Sequence, residues 1–244
     1  MTRRRWIADS WDGDTARLSG AQAAHLARVL RAQIGMQFDI VAGDRVRRGS
    51  IVEISDLIIE FALGEEIDAD PALPVTLLLA VFKFDRLEWA IEKATELGVE
   101  RIVPVLARRT EKHLAQAATT RVERWRRIAR EAAQQSRRSD SLEVLDPMSV
   151  KDAARQEPEA LRLLLAERER TTTLRDSLSA LETGSGENGS QRIRLAIGPE
   201  GGWTTEEETL FATGGWKPVS LGPRILRAET AAIAAISIVA AMLD

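Results

Sequence analysis

Apolar and polar positions follow two different rhythms along this chain. In the first seventy residues the apolar positions fall in short runs, Phe38 to Ala42, Val46 to Ile54 and Leu57 to Leu63, which predict strands. Gly43-Asp44 between the first two predicts a tight hairpin turn. One segment differs. Ala23, Leu26, Ala27 and Leu30 keep the helical period and predict a helix from Gly20 to Ala32, with Ser19 and Gln22 at capping-box spacing. From Val75 the rhythm changes. Val75 to Phe82 is continuously apolar, as in a strand covered on both faces. Leu87, Ala90, Ile91, Ala94 and Leu97 then trace one face of a helix from Arg86 to Leu97, capped by Asp85 and ended by Gly98.

The same alternation continues to the last residues. Ile102 to Leu106 predicts a strand, and Val122, Trp125, Ile128, Ala129 and Ala132 form the inner face of a helix from about Thr120 to Ser136. Leu142 to Leu145 and Leu161 to Ala166 predict two strands with a polar helix between them. Strands at Ile193 to Ile197 and Pro218 to Leu221 follow, then a small-residue helix from Ala231 to Leu243. Strands alternating with helices over short turns predict an α/β parallel sheet. The acidic, proline-bearing stretch 64–74 reads as a linker, and 183–191 as a plain surface loop.

Composition narrows the function. The 244 residues, 44% of them hydrophobic, suffice for two domains with a sizeable core. The absence of cysteine excludes disulfides, thiolate metal sites and a cysteine nucleophile, and with His25 and His113 the only histidines no metal is expected. Three N-terminal arginines without an apolar stretch behind them make no signal peptide, and Ala231 to Leu243 is too short to span a bilayer, so a cytoplasmic protein is expected. The net charge of −3 speaks against nucleic acid, but its distribution does not. Between Arg101 and Arg138 eleven basic residues stand against three acids, a local net of +8 that i,i+4 pairing cannot neutralise.

Two loops carry the chemistry. Gly198-Pro199-Glu200-Gly201-Gly202-Trp203-Thr204 leaves one predicted strand and enters a helix, and Gly222-Pro223-Arg224-Ile225-Leu226-Arg227-Ala228-Glu229-Thr230 does the same after the next. Ligands of open α/β sheets sit at that edge. Neither loop carries the P-loop or dinucleotide fingerprint. Glu200 stands where a phosphate would need bare amides, so a neutral or cationic ligand fits better. S-adenosylmethionine, a sulfonium without phosphate, is such a ligand. Thr204 and Glu207 have capping-box spacing, and Glu206, Glu207 and Glu208 suit a helix N-terminus, so these acids read as structural.

Taken together, the two loops resemble those of the bacterial uridine-N3 methyltransferases of 16S ribosomal RNA, members of the SPOUT superfamily. The resemblance extends to Glu92-Lys93-Ala94-Thr95-Glu96-Leu97-Gly98-Val99, to Arg124-Trp125, to Glu131-Ala132-Ala133-Gln134-Gln135-Ser136 and to His25-Leu26 with Val29-Leu30-Arg31. Phe84 and Trp203 depart from it, standing where Gly and Phe are expected. The resemblance implies a PUA-like RNA-binding barrel over 1–70 and a trefoil-knotted SPOUT domain over 74–244, working as a homodimer on ribosomal RNA with S-adenosylmethionine as cofactor. It places the cofactor against Leu165, Ala166, Glu167, Ile197, Gly198, Pro199, Glu200, Gly201, Gly202, Leu221, Gly222, Ile225, Leu226 and Arg227. RNA contacts are expected at Arg3, Arg4, Arg5, His25, Arg28, Arg31, Arg124, Arg127, Arg130, Arg137 and Arg138.

Methylation of uridine N3 requires loss of the N3 proton, and negative charge then spreads onto the uracil carbonyls. Arg227 and Arg224 are the residues expected to stabilise that charge. Glu229 is either a proton acceptor or the structural partner of an arginine. A ribose 2′-hydroxyl target, or a relative that binds RNA without catalysis, would share the same loops.

Overall fold

The computed structural model describes residues 5–43, 45–55, 57–68, 71–136, 138, 140, 142–182 and 192–243. The expectations placed on Arg3, Arg4, Asp44, Arg137 and the 183–191 loop lie outside these residues. The chain divides into two units, Met1–Ala72 with Arg130–Ser141, and Leu73–Ala129 with Leu142–Asp244.

In the first unit β1 (Arg5–Ile7), β2 (Ser10–Asp12), β3 (Thr15–Ser19), β4 (Gln37–Ala42), β5 (Arg45–Ile54) and β6 (Ile58–Ile67) form one sheet in the order β1-β4-β5-β6-β3-β2. Only β1 and β4 pair in parallel. Trp6, Leu18, Leu26, Ile40, Ile51, Ile59 and Phe61 fill its core. Strands β1 to β3 were not expected, because three to five residues are too few for alternation to show.

The predicted helix from Gly20 to Ala32 is shorter and of two kinds. Gly20–Ala24 is α-helix (α1), and His25–Val29 is a π-helical turn. Arg31, with φ of +50°, turns the chain out of it. The expected capping box does not form. The Ser19 hydroxyl donates instead to the Asp9 carboxylate at 3.1 Å, and the Gln22 amide oxygen accepts from Gln134 at 2.7 Å.

The second unit alternates β7 (Leu73–Ala80), α2 (Phe84–Glu96), β8 (Val99–Leu106), α3 (Lys112–Ser136), β9 (Glu143–Val144), β10 (Met148–Ser149), α4 (Val150–Arg155), β11 (Leu161–Leu165), α5 (Leu174–Glu182), β12 (Ile193–Ile197), α6 (Thr205–Thr213), β13 (Lys217–Val219) and α7 (Ala228–Leu243). The last turns of α3 group with the first unit. The strands run parallel in the order β10-β8-β7-β12-β11-β13, with β9 beside β8. Both faces are covered, which is why β7 and β12 are apolar apart from the buried Thr76 and Arg194. Leu77, Leu79, Leu195 and Ile197 face one core with α2 and α7, while Leu78, Ala80 and Ala196 face the other with Phe211 and Trp216.

Three local expectations are corrected. Asp85 does not cap α2; it lies within the first turn, and the N-cap residue is Lys83. Helix α3 starts at Lys112 rather than near Thr120, because Leu114 and Ala118 extend its buried face by two turns. Phe84 is the first residue of α2 and packs edge-on against Trp125 at 5.8 Å, with the Arg121 guanidinium 4.9 Å from its ring centroid. The preceding turn has φ −49° at Lys83 and does not require glycine.

Candidate active site

Neighbouring β7 and β12 divide the sheet: β8 to β10 lie on one side, β11 and β13 on the other. Such a switch point leaves a crevice beyond the carboxyl ends of the strands. Here it is a cavity of about 530 Å³ walled by the segments that follow β7, β8, β11, β12 and β13.

The first wall is the loop after β12. The Gly202 amide donates to the Pro199 carbonyl at 2.8 Å, and Gly202 has φ of +68°, a conformation that favours glycine. Trp203 is buried beneath the loop and packs edge-on against Phe211 at 4.9 Å. A Cβ on Gly198 would lie 3.2 Å from the Trp203 indole nitrogen. A side chain at 198 would therefore press on the aromatic floor. Arg109, just beyond β8, donates to the carbonyls of Gly201 and Trp203. The capping box of α6 forms as expected, and the remaining Glu207 oxygen accepts the Arg108 amide at 2.7 Å. Glu207 is thus a structural clamp.

The second wall is the loop after β13. Gly222 has φ of +110°, and its amide donates to the Ser220 hydroxyl at 3.1 Å. Leu226 is half-buried and Ile225 is 76% exposed. The Arg224 and Arg227 side chains are exposed and have no ion-pair partner among the described residues. Helix α7 begins at Ala228, earlier than the predicted Ala231, and this draws Glu229 into its first turn.

Glu229 is only 7% exposed and does not line the cavity. Its Oε1 lies 3.7 Å from Arg86 Nε, while Arg86 Nη1 donates to Glu200 Oε1 at 2.8 Å. Of the two roles the sequence left open for Glu229, this placement supports the structural one, as a buried counter-charge of Arg86.

The third wall, Leu165 to Arg170, leaves β11. The Glu169 carboxylate accepts from the Thr171 hydroxyl and from the amides of Thr171 and Thr172, and these bonds hold its pKa at about 2. Arg170 reaches the Pro223 carbonyl at 3.4 Å, joining this wall to the second loop.

All fourteen residues expected to hold the cofactor line this one cavity, as do Arg224 and Arg227. Lys83, Arg86, Arg109, Arg168 and Arg170 also line it and were not anticipated. Lys83, Arg86 and Arg109 follow the carboxyl ends of β7 and β8, which is the signal that would have found them. The walls suit S-adenosylmethionine. Leu165, Ile197, Leu221 and Leu226 offer apolar surface for an adenine, and Glu167 offers a carboxylate for a cation, whereas Glu200 is already paired with Arg86. Bare glycines at 198, 201, 202 and 222 let the backbone approach closely.

The expected RNA contacts fare unevenly. Arg5 lies on β1, exposed His25 in the π-helical turn, Arg28 at the end of that turn and Arg31 just beyond it. Arg124 is held by Glu88 through two hydrogen bonds of 2.8 and 2.9 Å, and Arg130 by Asp9 at 3.0 Å. Arg138 is buried against Asp140 at 2.8 Å, which removes it from the surface and from the contact set. The local charge of +8 is therefore largely offset. Asp9, Glu88, Glu143, Asp146 and Glu157 supply the counter-charges from other elements, where i,i+4 spacing could not show them. Among the described residues no acidic or histidine cluster could hold a metal, and no helix is long and apolar enough to cross a membrane.

The class of protein follows from the match of residues 69–240 to the RNA methyltransferase domain family. Ribosomal RNA small subunit methyltransferase E of Synechocystis sp. is 36% identical over 233 residues, covering 94% of this chain and 74% of that protein. The Bacillus subtilis protein of the same name is 30% identical, covering 93% and 90%. The crystal structure of a ribosomal RNA small subunit methyltransferase E from Neisseria gonorrhoeae, bound to S-adenosyl methionine, matches with a TM-score of 0.81 at 28% identity, covering 97% of this chain and 96% of that one. The chain belongs to the ribosomal RNA small subunit methyltransferase E family.

Proposed function

We propose that this protein transfers the methyl group of S-adenosylmethionine to N3 of a uridine in small-subunit (16S) ribosomal RNA. One observation carries the reading. The two Gly-Pro loops and the segment after β11 converge on a single cavity lined by three guanidiniums, Arg168, Arg224 and Arg227, without ion-pair or hydrogen-bond partners among the described residues, two of them on the second loop. Other arginines nearby are committed: Arg86 to Glu200 and Glu229, Arg109 to the first loop.

The cofactor supplies an electrophilic methyl group. Residues Leu165 to Glu167, Ile197 to Gly202 and Leu221 to Arg227 would hold it. The uracil N3 must lose its proton before its lone pair can react. Each pKa unit is worth about 1.4 kcal/mol, so bringing N3 to reactivity near neutral pH requires about 3 kcal/mol or more. A guanidinium beside the uracil carbonyls stabilises the anion as it forms, and Arg227, which immediately precedes α7, is assigned that role with Arg224 as its neighbour. Solvent takes the proton, since Glu229 is buried behind Arg86.

The finer architecture belongs to the same proposal. The six-stranded sheet of the first unit acts as a PUA-like RNA-binding barrel, and the C-terminal segment forms the family's trefoil knot; α7, which packs on the face of α2, supports the latter. The small residues of α7 also suit a homodimer contact, and the protein works in the cytoplasm. Mass spectrometry of nucleosides from 16S RNA treated with the protein and S-adenosylmethionine tests the reading. 3-Methyluridine is expected; a 2′-O-methylated nucleoside would replace this target with the ribose.

A further inference from the structure

A second cavity, of about 360 Å³, lies wholly within the first unit, between β1, the α1–π segment and residues 131–135 of α3. Its size is within the range of small-ligand sites. We propose that it holds one unstacked nucleobase of the RNA substrate, a different base from the one methylated. This inference rests on the RNA methyltransferase reading above.

The walls offer the chemistry of a base edge. Gln134 Nε2 donates to Gln22 Oε1 at 2.7 Å, which fixes both amides. The Gln22 amide nitrogen and the Gln134 amide oxygen then remain, without another partner among the described residues. A donor held beside an acceptor is the pattern that complements a nucleobase edge, as when one glutamine amide pairs with adenine. Trp6 forms an apolar wall, and the exposed His25 ring stands 6.1 Å from it, tilted by 48°. An aromatic face beside hydrogen-bonding groups is how single-stranded RNA bases are captured. Glu131 and Arg5 both line the cavity, so its charges offset one another and the paired amides, which match a neutral base edge, decide the fit. The π-helical turn carries His25 to the cavity, and such irregular turns often mark functional positions.

Two variants of opposite kind test this. Gln22→Leu with Gln134→Leu removes both amides together and leaves no orphaned partner. Ala21→Phe adds bulk from an exposed helical position that lines the cavity. Filter binding of a 16S RNA transcript is measured against salt, and S-adenosylmethionine binding by calorimetry. Both variants should lose about tenfold or more in RNA affinity, as for loss of one stacked base. The salt slope and cofactor affinity should not change, because no phosphate contact is lost. Wild-type affinity in both variants, or a loss accompanied by a flatter salt slope, overturns the assignment. Failure of the wild-type chain to bind the transcript would overturn the functional reading and this one with it.

Discussion

Arg86 and Glu200, 114 positions apart, meet at 2.8 Å across the cofactor cavity, and the same guanidinium reaches the buried Glu229 at 3.7 Å. One side chain on α2 thereby ties the first glycine loop to the start of α7. Removing it should leave Glu229 buried without a counter-charge. Arg86 is itself 30% exposed, which moderates the effect, so Arg86→Ala should lower unfolding free energy by about 1–3 kcal/mol. Cofactor affinity should fall as well, because Glu200 is released. Urea unfolding and calorimetry read the two effects. Adding Glu229→Gln should restore much of the stability and little of the affinity.

Gly198 and Trp203 provide a second pair. The φ of Gly198 is not positive, so the constraint on it is steric, from the indole 3.2 Å away. Gly198→Ala should destabilise by about 1–3 kcal/mol, as overpacking does. Trp203→Phe in the same chain should relieve part of that loss. A double-mutant cycle on thermal unfolding is expected to show coupling of about 0.5 kcal/mol or more. Strict additivity would place the clash elsewhere.

These two pairs also show what the sequence could and could not disclose. The glycine loops, the strand–helix alternation and the capping box at Thr204 are local, and the fourteen residues expected to hold the cofactor sit on them. Arg86, Arg109 and Lys83 reach the same cavity from the ends of β7 and β8, which the strand order places on the β7 side of β12. The pairing of charges is hidden in the sequence for the same reason. Arg124 and Arg130 find Glu88 and Asp9 on other elements, and Arg138 folds back on Asp140. Glu229 looked like a loop residue until α7 proved to start at Ala228.

Glu169 gives a pH dependence. Its pKa is lowered from the ordinary 4.5 to about 2 by hydrogen bonds it accepts in the folded chain. A depressed acid contributes stability that is present above the unfolded pKa and lost as pH falls through the folded one. The contribution should thus be constant above about pH 5 and decline between 4.5 and 2. The side chain is partly exposed and screened by solvent, so the effect is small. Unfolding of Glu169→Gln compared with wild type should show a stability gap that closes over that acid window. A gap that instead changed between pH 6 and 8 would rule this group out as its source.

The unpaired cations make a separate prediction. Lys83, Arg168 and Arg224 line the cofactor cavity without ion-pair partners among the described residues, whereas Arg138 is buried on Asp140. If the free cations hold RNA phosphates, Lys83→Ala, Arg168→Ala and Arg224→Ala should each lower the salt slope of RNA binding by about 0.7–0.9. Arg138→Ala should leave the slope unchanged. An equal slope for all four variants would place the phosphate contacts elsewhere.

Arg227 bears the central claim, that its guanidinium acts on the uracil as charge develops and not on the cofactor. The most direct measurement is single-turnover methylation of 16S RNA by Arg227→Ala at saturating cofactor and RNA, with 3-methyluridine counted by mass spectrometry. Loss of one such donor typically slows turnover about 10²–10³-fold. The predicted result is a fall of that size with S-adenosylmethionine affinity nearly unchanged, and little recovery in Arg227→Lys, which lacks the planar fork. Near-normal turnover in Arg227→Ala, or a loss that tracks weaker cofactor binding, would contradict it.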